Sequence, residues 1–307
     1  MNNMGKINSI YAFVKSYWKA LRVFSLSLAA AAVALGAAAA YEKGYLFSDS
    51  LPFDIFLLII VIIAGIASQA GANLINDYFE GSFKYPDPSS KQIRFFGRTR
   101  TLFHVFVFLS GIAALGLAGL IGLYLIYITD WKMLVIGLLG LAGSYAYTGE
   151  PFVYKRKGLG VPLSFILMGP LMLEGAWYAF AETISWFPVI IGLPASFFVP
   201  ALMVSNEMRD LRRDTQIKMG TLCVRLGYKK SLALYDILTF CAFLLVPIYI
   251  FMEIYPLHSL LCFAALPAAF FAKKHVANLE RASIPYTNRV QALFSALLIL
   301  SFILSWL

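Results

Sequence analysis

Nine apolar stretches divide this chain, and water offers them no way to fold. They run near 22–41, 52–76, 103–127, 132–148, 160–180, 186–205, 230–252, 257–272 and 288–307. Several reach the roughly 20 residues that an α-helix needs to cross a hydrocarbon core; the fourth and eighth are short. With 60% hydrophobic and 13% charged residues, the chain carries about half the charged fraction of a soluble domain. Lipid is the better solvent. Because lipid cannot satisfy an exposed backbone, the spanning form is helical. The expected architecture is all-α: a single domain over residues 1–307, with about nine transmembrane helices bundled around a central cavity. The run from Arg22 to Ala40 reads as the first retained helix and not as a cleaved leader, since about 20 polar or amphipathic residues precede it.

Charge orients the spans. With a cytoplasmic N-terminus, 23 of the 25 basic residues fall on the cytoplasmic side, and only Lys43 and Lys132 fall opposite. That segregation follows the positive-inside rule. It makes the net charge of +9 a property of cytoplasmic loops and not a sign of nucleic-acid binding. The expected location is the bacterial or archaeal cytoplasmic membrane. The long polar segments near 77–102 and 206–229 lie on the cytoplasmic side, where function is expected to converge. The three cysteines form no CxxC pair, and His104, His258 and His275 stand alone, so no disulfide framework, zinc or haem signature is present.

Two polar segments carry the chemistry. In the first, Asn73, Asp77, Glu80 and Lys84 fall within about a 60° arc of one helix face, with Asn76 beside them and Asp87 beyond. In the second, Asn206, Asp210 and Asp214 share a face, with Arg209 and Arg213 adjacent. Asn-x₃-Asp therefore occurs twice, each time at the cytoplasmic end of a span. Mg²⁺ binds through a few carboxylates plus substrate phosphates, and facing acidic clusters could hold such ions around a diphosphate. Lys84, Arg94, Arg209, Arg213 and Lys218 are cations available to a departing pyrophosphate. The bland alternative is a pair of solvated helix ends with Asp–Arg pairs along the helix.

A third patch runs from Tyr145 to Gly160, where Tyr147 and Lys155 could reach a phosphate or an aromatic acceptor. A positive-inside anchor with interfacial tyrosines explains the same residues. Glu174, mid-span, is a functional candidate as an intramembrane acid, or else a structural hydrogen-bond partner. A transporter using such acids would place paired charges near mid-membrane on broken helices, whereas these acids cluster at one edge.

At these residues the sequence resembles the UbiA superfamily of intramembrane prenyltransferases. Asn73-Leu-Ile-Asn76-Asp77-Tyr-Phe-Glu80 is similar to the first Asp-rich motif of that family. Asn206-Glu-Met-Arg209-Asp210-Leu-Arg-Arg-Asp214, with Thr221-Leu-Cys-Val-Arg225-Leu-Gly227, is similar to the second. Tyr147-Thr-Gly-Glu-Pro151, through Tyr154 to Gly158-Leu-Gly160, looks like the YTGxP patch of the branch that prenylates 1,4-dihydroxy-2-naphthoate. The resemblance implies a nine-helix fold with a cytoplasmic active site. It implies Mg²⁺ held by Asp77, Glu80, Asp210 and Asp214 on a polyprenyl diphosphate, with Asn73 and Asn206 orienting. It also implies transfer of the prenyl group to an aromatic acceptor, with 4-hydroxybenzoate and homogentisate as alternatives to the naphthoate. Several positions depart from the pattern: Glu80 for Asp, Glu207 for the second Asn of an Asn pair, Lys218 displaced by one residue, and Lys84 with a one-residue longer spacing to Asp87. The signature of CDP-alcohol phosphatidyltransferases, also Mg²⁺-dependent membrane enzymes, is absent.

Overall fold

The computed structural model describes residues 2–47, 50–80, 92–95 and 97–306. Helix α1 (Asn2–Leu21) ends where Arg22 turns into the left-handed region (φ 50°, ψ 51°), and a short 3₁₀ turn leads into α2 (Leu26–Glu42). Helix α3 (Leu51–Glu80) follows, then the antiparallel hairpin of β1 (Gln92–Phe95) and β2 (Arg98–Thr101). Helices α4 (Leu102–Ile128) and α5 (Trp131–Ala146) form the next antiparallel pair. After a 3₁₀ turn at Tyr154–Lys157 come α6 (Gly160–Met168) and α7 (Pro170–Ala181), which make one crossing broken at Gly169–Pro170. Helices α8 (Phe187–Ser196) and α9 (Phe198–Gln216) likewise form one crossing. The chain closes with α10 (Leu222–Phe251), a 3₁₀ stretch leading into α11 (Leu266–Ala277), and α12 (Ser283–Trp306).

Among the described residues, eight helical segments are long and apolar enough to cross a membrane, and Trp131–Ala146 is a shorter apolar helix. Together they match the nine apolar stretches in order. Two expectations need correction at one end of the bundle. The segment after α3 carries a hairpin, a small β element in an otherwise helical chain; Phe95 explains it by packing its ring 6.4 Å from Tyr78 and 5.9 Å from Phe108. The sixth span does not stop near 205 but runs to Gln216. Met208 and Leu211 keep it helical, because they bury an inward stripe against Cys223, Tyr235 and Val276, with Arg212 exposed on the other side.

The centre is built from small residues. The alanines of α2 are buried against α7, α8 and α12, and a Cβ on Gly36 would lie 2.6 Å from the Leu173 carbonyl oxygen. Helices α3 and α4 approach as closely at Gly71, where a Cβ would fall 2.6 Å from the Leu115 side chain. Small residues permit such contacts in lipid, where packing drives helix association. At the end of the bundle away from the Asp segments, Asp130 accepts hydrogen bonds from Tyr178 Oη (2.6 Å) and Lys132 N–H (2.8 Å). The Tyr178 bond, with Lys132, holds the Asp130 carboxyl below its ordinary value. Glu174 accepts the Ser185 N–H at 2.9 Å and so fastens the link between α7 and α8.

Candidate active site

The first Asp segment forms the last turns of α3. Asn73, Asn76 and Asp77 are all buried, Asp77 to 3% exposure. Helix ends leave carbonyls without partners, and here β2 supplies them: Arg100 Nε donates to Tyr78 O (3.0 Å) and Nη2 to Phe79 O (3.4 Å). Burial, then the Arg98 charge, lowers the Arg100 guanidinium below its ordinary value. Tyr78 Oη donates back to Phe95 O at 2.7 Å, locking the hairpin over the helix end. The Asn73 amide is fully engaged. Its Nδ2 donates to Leu21 O (2.9 Å) and Ser25 Oγ (2.8 Å), and its Oδ1 accepts from Gln69 Nε2 (3.4 Å). Asn73 therefore fastens the α1–α2 break to α3, one turn before Asp77.

The second segment forms the last turns of α9. Arg209 makes a bidentate pair with Asp210, and Arg213 Nη2 lies 3.1 Å from Asp210 Oδ2 and 2.7 Å from Asp214 Oδ1. Asp214 is buried and Asp210 half-buried. The Asn206 side chain is half-buried, and no hydrogen bond ties it to another described residue. Lys218 lies past the helix end, exposed, with φ 51°.

The third patch joins the two. Toward α3, Tyr145 packs 6.5 Å from the Phe79 ring and Glu150 pairs with Arg98. Toward α9, Tyr147 Oη donates to Met203 Sδ at 3.7 Å. Tyr154 is anchored by a 3.0 Å hydrogen bond from its hydroxyl to Gly143 O, and burial raises its phenol well above the ordinary value. The Lys155 N–H donates to Tyr147 O (3.2 Å), and its ammonium sits 5.6 Å from the Tyr147 ring centroid. Lys155 is only 6% exposed, and its charge acts on Glu207, Asp210 and Asp214. Gly158 holds φ 77° beside Arg225, which leaves no room for a side chain.

An apolar cavity of about 450 Å³ is walled by Val61 and Gln69 of α3, Leu123 of α4, Met133 and Ser144 of α5, and Met172 of α7. Its polar side chains are Ser68, Gln69 and Ser144. Gln69 bonds Asn73, and Ser144 adjoins the Tyr145–Tyr147 turn.

The structure thus gathers Asp210, Asp214, Arg209, Arg213, Lys155 and Tyr147, and sets Asp77, Asn73 and Asn76 on the far side of the connecting patch. Arg94 is exposed on β1. The Glu80 side chain, Lys84 and Asp87 lie outside the described residues. Among the described residues, no three His, Cys, Asp or Glu side chains converge as a metal cage. Sequence reasoning treated Glu207 as a departure from a motif, yet its carboxylate lies inside the site. A signal was available: Glu207 and Asp214, seven residues apart, share a helix face. Arg100, read only as loop charge, caps α3.

Comparison with known proteins gives a consistent result. The family model described as UbiA prenyltransferase family matches residues 37–296. The chain is 27% identical over 180 residues to the 1,4-dihydroxy-2-naphthoate octaprenyltransferase of Mycobacterium leprae, covering 59% of this chain and 61% of that protein. It is 30% identical over 234 residues to UbiA prenyltransferase domain-containing protein 1 of Rattus norvegicus, covering 75% of this chain and 66% of that one. The match therefore spans about three-fifths to two-thirds of these curated relatives' lengths. The fold is similar to the apo structure of a UbiA homolog from Aeropyrum pernix, with a TM-score of 0.62 at 14% identity over 93% of this chain and 98% of that one.

Proposed function

Because the chain belongs to the UbiA prenyltransferase family, we propose that it transfers a polyprenyl group from polyprenyl diphosphate to an aromatic acceptor within the membrane. The naphthoate carries the best support, since relatives named for 1,4-dihydroxy-2-naphthoate prenylation match at 26–27% identity. One observation carries the reading. An apolar cavity of about 450 Å³ reaches Gln69, about two turns before Asp77 on α3, and Ser144, next to the patch that carries the buried Lys155.

In this account the cavity takes the tail and excludes water from it, while the diphosphate lies between the α3 and α9 termini. Lys155, Arg209 and Arg213 face its oxygens. The bond between the first prenyl carbon and the diphosphate oxygen breaks, and its electron pair leaves with pyrophosphate. The surrounding cations stabilise that charge as it develops. A ring carbon of the acceptor supplies the electron pair for the new carbon–carbon bond. With the naphthoate, the bond from that carbon to the carboxylate then breaks, releasing CO₂ and returning its pair to the ring.

Asp77, Asp210 and Asp214, with Glu80, would supply the all-oxygen donors that Mg²⁺ prefers. Bound there, Mg²⁺ would neutralise charge on the diphosphate. The segregation of 23 of the 25 basic residues supports a site facing the cytoplasm of a bacterial or archaeal membrane.

The test is incubation of the purified protein with Mg²⁺, a labelled polyprenyl diphosphate and a panel of aromatic acids, with products identified by mass. The expected product is the naphthoate plus the prenyl group less CO₂. A product from another acid would move the acceptor, and no pyrophosphate release with any acid would overturn the reading.

A further inference from the structure

We infer that Gln69 recognises a ring hydroxyl of the aromatic acceptor, offering its side-chain carbonyl oxygen at the end of the apolar cavity nearest Asp77. The inference rests on the proposed prenyl transfer and adds one contact to it.

The hydrogen bonds around the α1–α2 break have a fixed direction. A backbone carbonyl can only accept, and two such carbonyls set the polarity of the whole group. Arg22 O takes the Ser25 hydroxyl hydrogen at 3.0 Å, and Leu21 O takes a hydrogen from Asn73 Nδ2 at 2.9 Å. Ser25 Oγ is left to accept, from Asn73 Nδ2 at 2.8 Å and from Gln69 Nε2 at 3.4 Å. With its Nδ2 committed, Asn73 presents Oδ1 to Gln69, and this oxygen accepts from the same Nε2 at 3.4 Å. Both hydrogens of the Gln69 amide are therefore spent. The amide cannot turn over without setting oxygen against oxygen. Its remaining polar atom, Oε1, has no donor among the described residues.

Gln69 is 7% exposed and lines the cavity. The cavity's other polar side chains, Ser68 and Ser144, likewise make no hydrogen bond to another described residue. A carbonyl oxygen without a donor is costly in apolar surroundings, and a prenyl tail has no donor to give. A ring hydroxyl has one. Position agrees with this. Gln69 lies about 12 Å along the helix before Asp77, so it sits between the diphosphate end and the body of the tail cavity. The first prenyl carbon, which the ring must reach, belongs to that interval. An amide tethered through both hydrogens holds its oxygen in place before the ring arrives. A site built in this way rejects an analogue that lacks the hydroxyl.

Calorimetric binding to the full-length protein in detergent, with an unreactive prenyl thiodiphosphate present, tests this without turnover. The ligands are 1,4-dihydroxy-2-naphthoate, 1-hydroxy-2-naphthoate and 4-hydroxy-2-naphthoate. The parent should bind one monohydroxy acid about tenfold more weakly than the dihydroxy acid. Gln69→Met should lose that preference. Gln69→Glu, whose carboxyl stays protonated in an apolar wall and keeps a carbonyl oxygen, should retain it. Three results would each overturn the recognition role: equal binding of all three acids by the parent, a preference that survives in Gln69→Met, or an equal weakening of all three in that variant. The last would leave Gln69 as a brace for Asn73. A parent protein that releases no pyrophosphate from a prenyl diphosphate with any acid would instead overturn the transfer reading, while the binding ratios still judge Gln69.

Discussion

The two Asn-x₃-Asp segments look alike in sequence and are used differently in the structure. At the end of α3 the asparagine is spent on architecture: Asn73 binds Leu21 O, Ser25 Oγ and Gln69. Its neighbour Asp77 sits deep, under a hairpin that caps the helix through Arg100. At the end of α9 the asparagine is uncommitted and the carboxylates lie in an arginine lattice. One terminus is tied by its polar groups to the N-terminal helices, and the other packs its apolar stripe on α10 while its charges pair with one another. Equal spacing on two helices therefore does not imply equal roles, because each role is set by what packs against the helix end.

Perturbing each half in turn should separate them. Removing divalent cations with a chelator should abolish turnover, and added Mg²⁺ should restore it; turnover that survives chelation would remove the metal from the account. Next in size are the asparagines. Asn73→Ala leaves Leu21 O and Ser25 Oγ without their donor, so it should lower stability by about 1–2 kcal/mol. The drop would be seen as a lower Tm in detergent, with reduced activity following from it. Asn206→Ala should leave Tm within a degree or two and instead raise KM for the diphosphate donor. If the two variants behaved alike, the contrast would be lost.

Arg100→Ala should cost about 1 kcal/mol, since it strips the last carbonyls of α3 of their partner. Hydrogen exchange should rise in the Asn76–Glu80 turn and not in α9. The smallest effect belongs to the opposite end of the bundle. Tyr178 and Lys132 hold Asp130 below its ordinary value. A depressed carboxylate contributes stability above its unfolded pKa, about 3.9, and loses it as pH falls through the folded value. The melting temperature of the parent should therefore drop more steeply below about pH 4 than that of Asp130→Asn. Pyrophosphate release at neutral pH should be the same in both.

Much of this was legible in the sequence. Apolar length gave the eight segments long enough to cross and the shorter Trp131–Ala146 helix, in order. Hydropathy could not show the extension of α9 to Gln216, because its buried stripe of Met208 and Leu211 is hidden among charges. Nor could it show the hairpin, whose cause is the packing of Phe95 on residues from two other elements. The tethering of Asn73 depends on the left-handed break at Arg22 and is equally invisible along the chain. Glu207 was in plain view as a departure, but its burial and its bond from the Cys223 N–H at the start of α10 are not visible along the chain.

The central claim is that two unlike termini act on one diphosphate, and pyrophosphate release from Asp77→Asn, Asp210→Asn and the double variant tests it most directly. Groups that act as a unit lose their effect together, so either single change should reduce release by about 10²-fold or more, and the double change should be scarcely worse. Full activity in either single variant, or losses that multiply in the double, would contradict it.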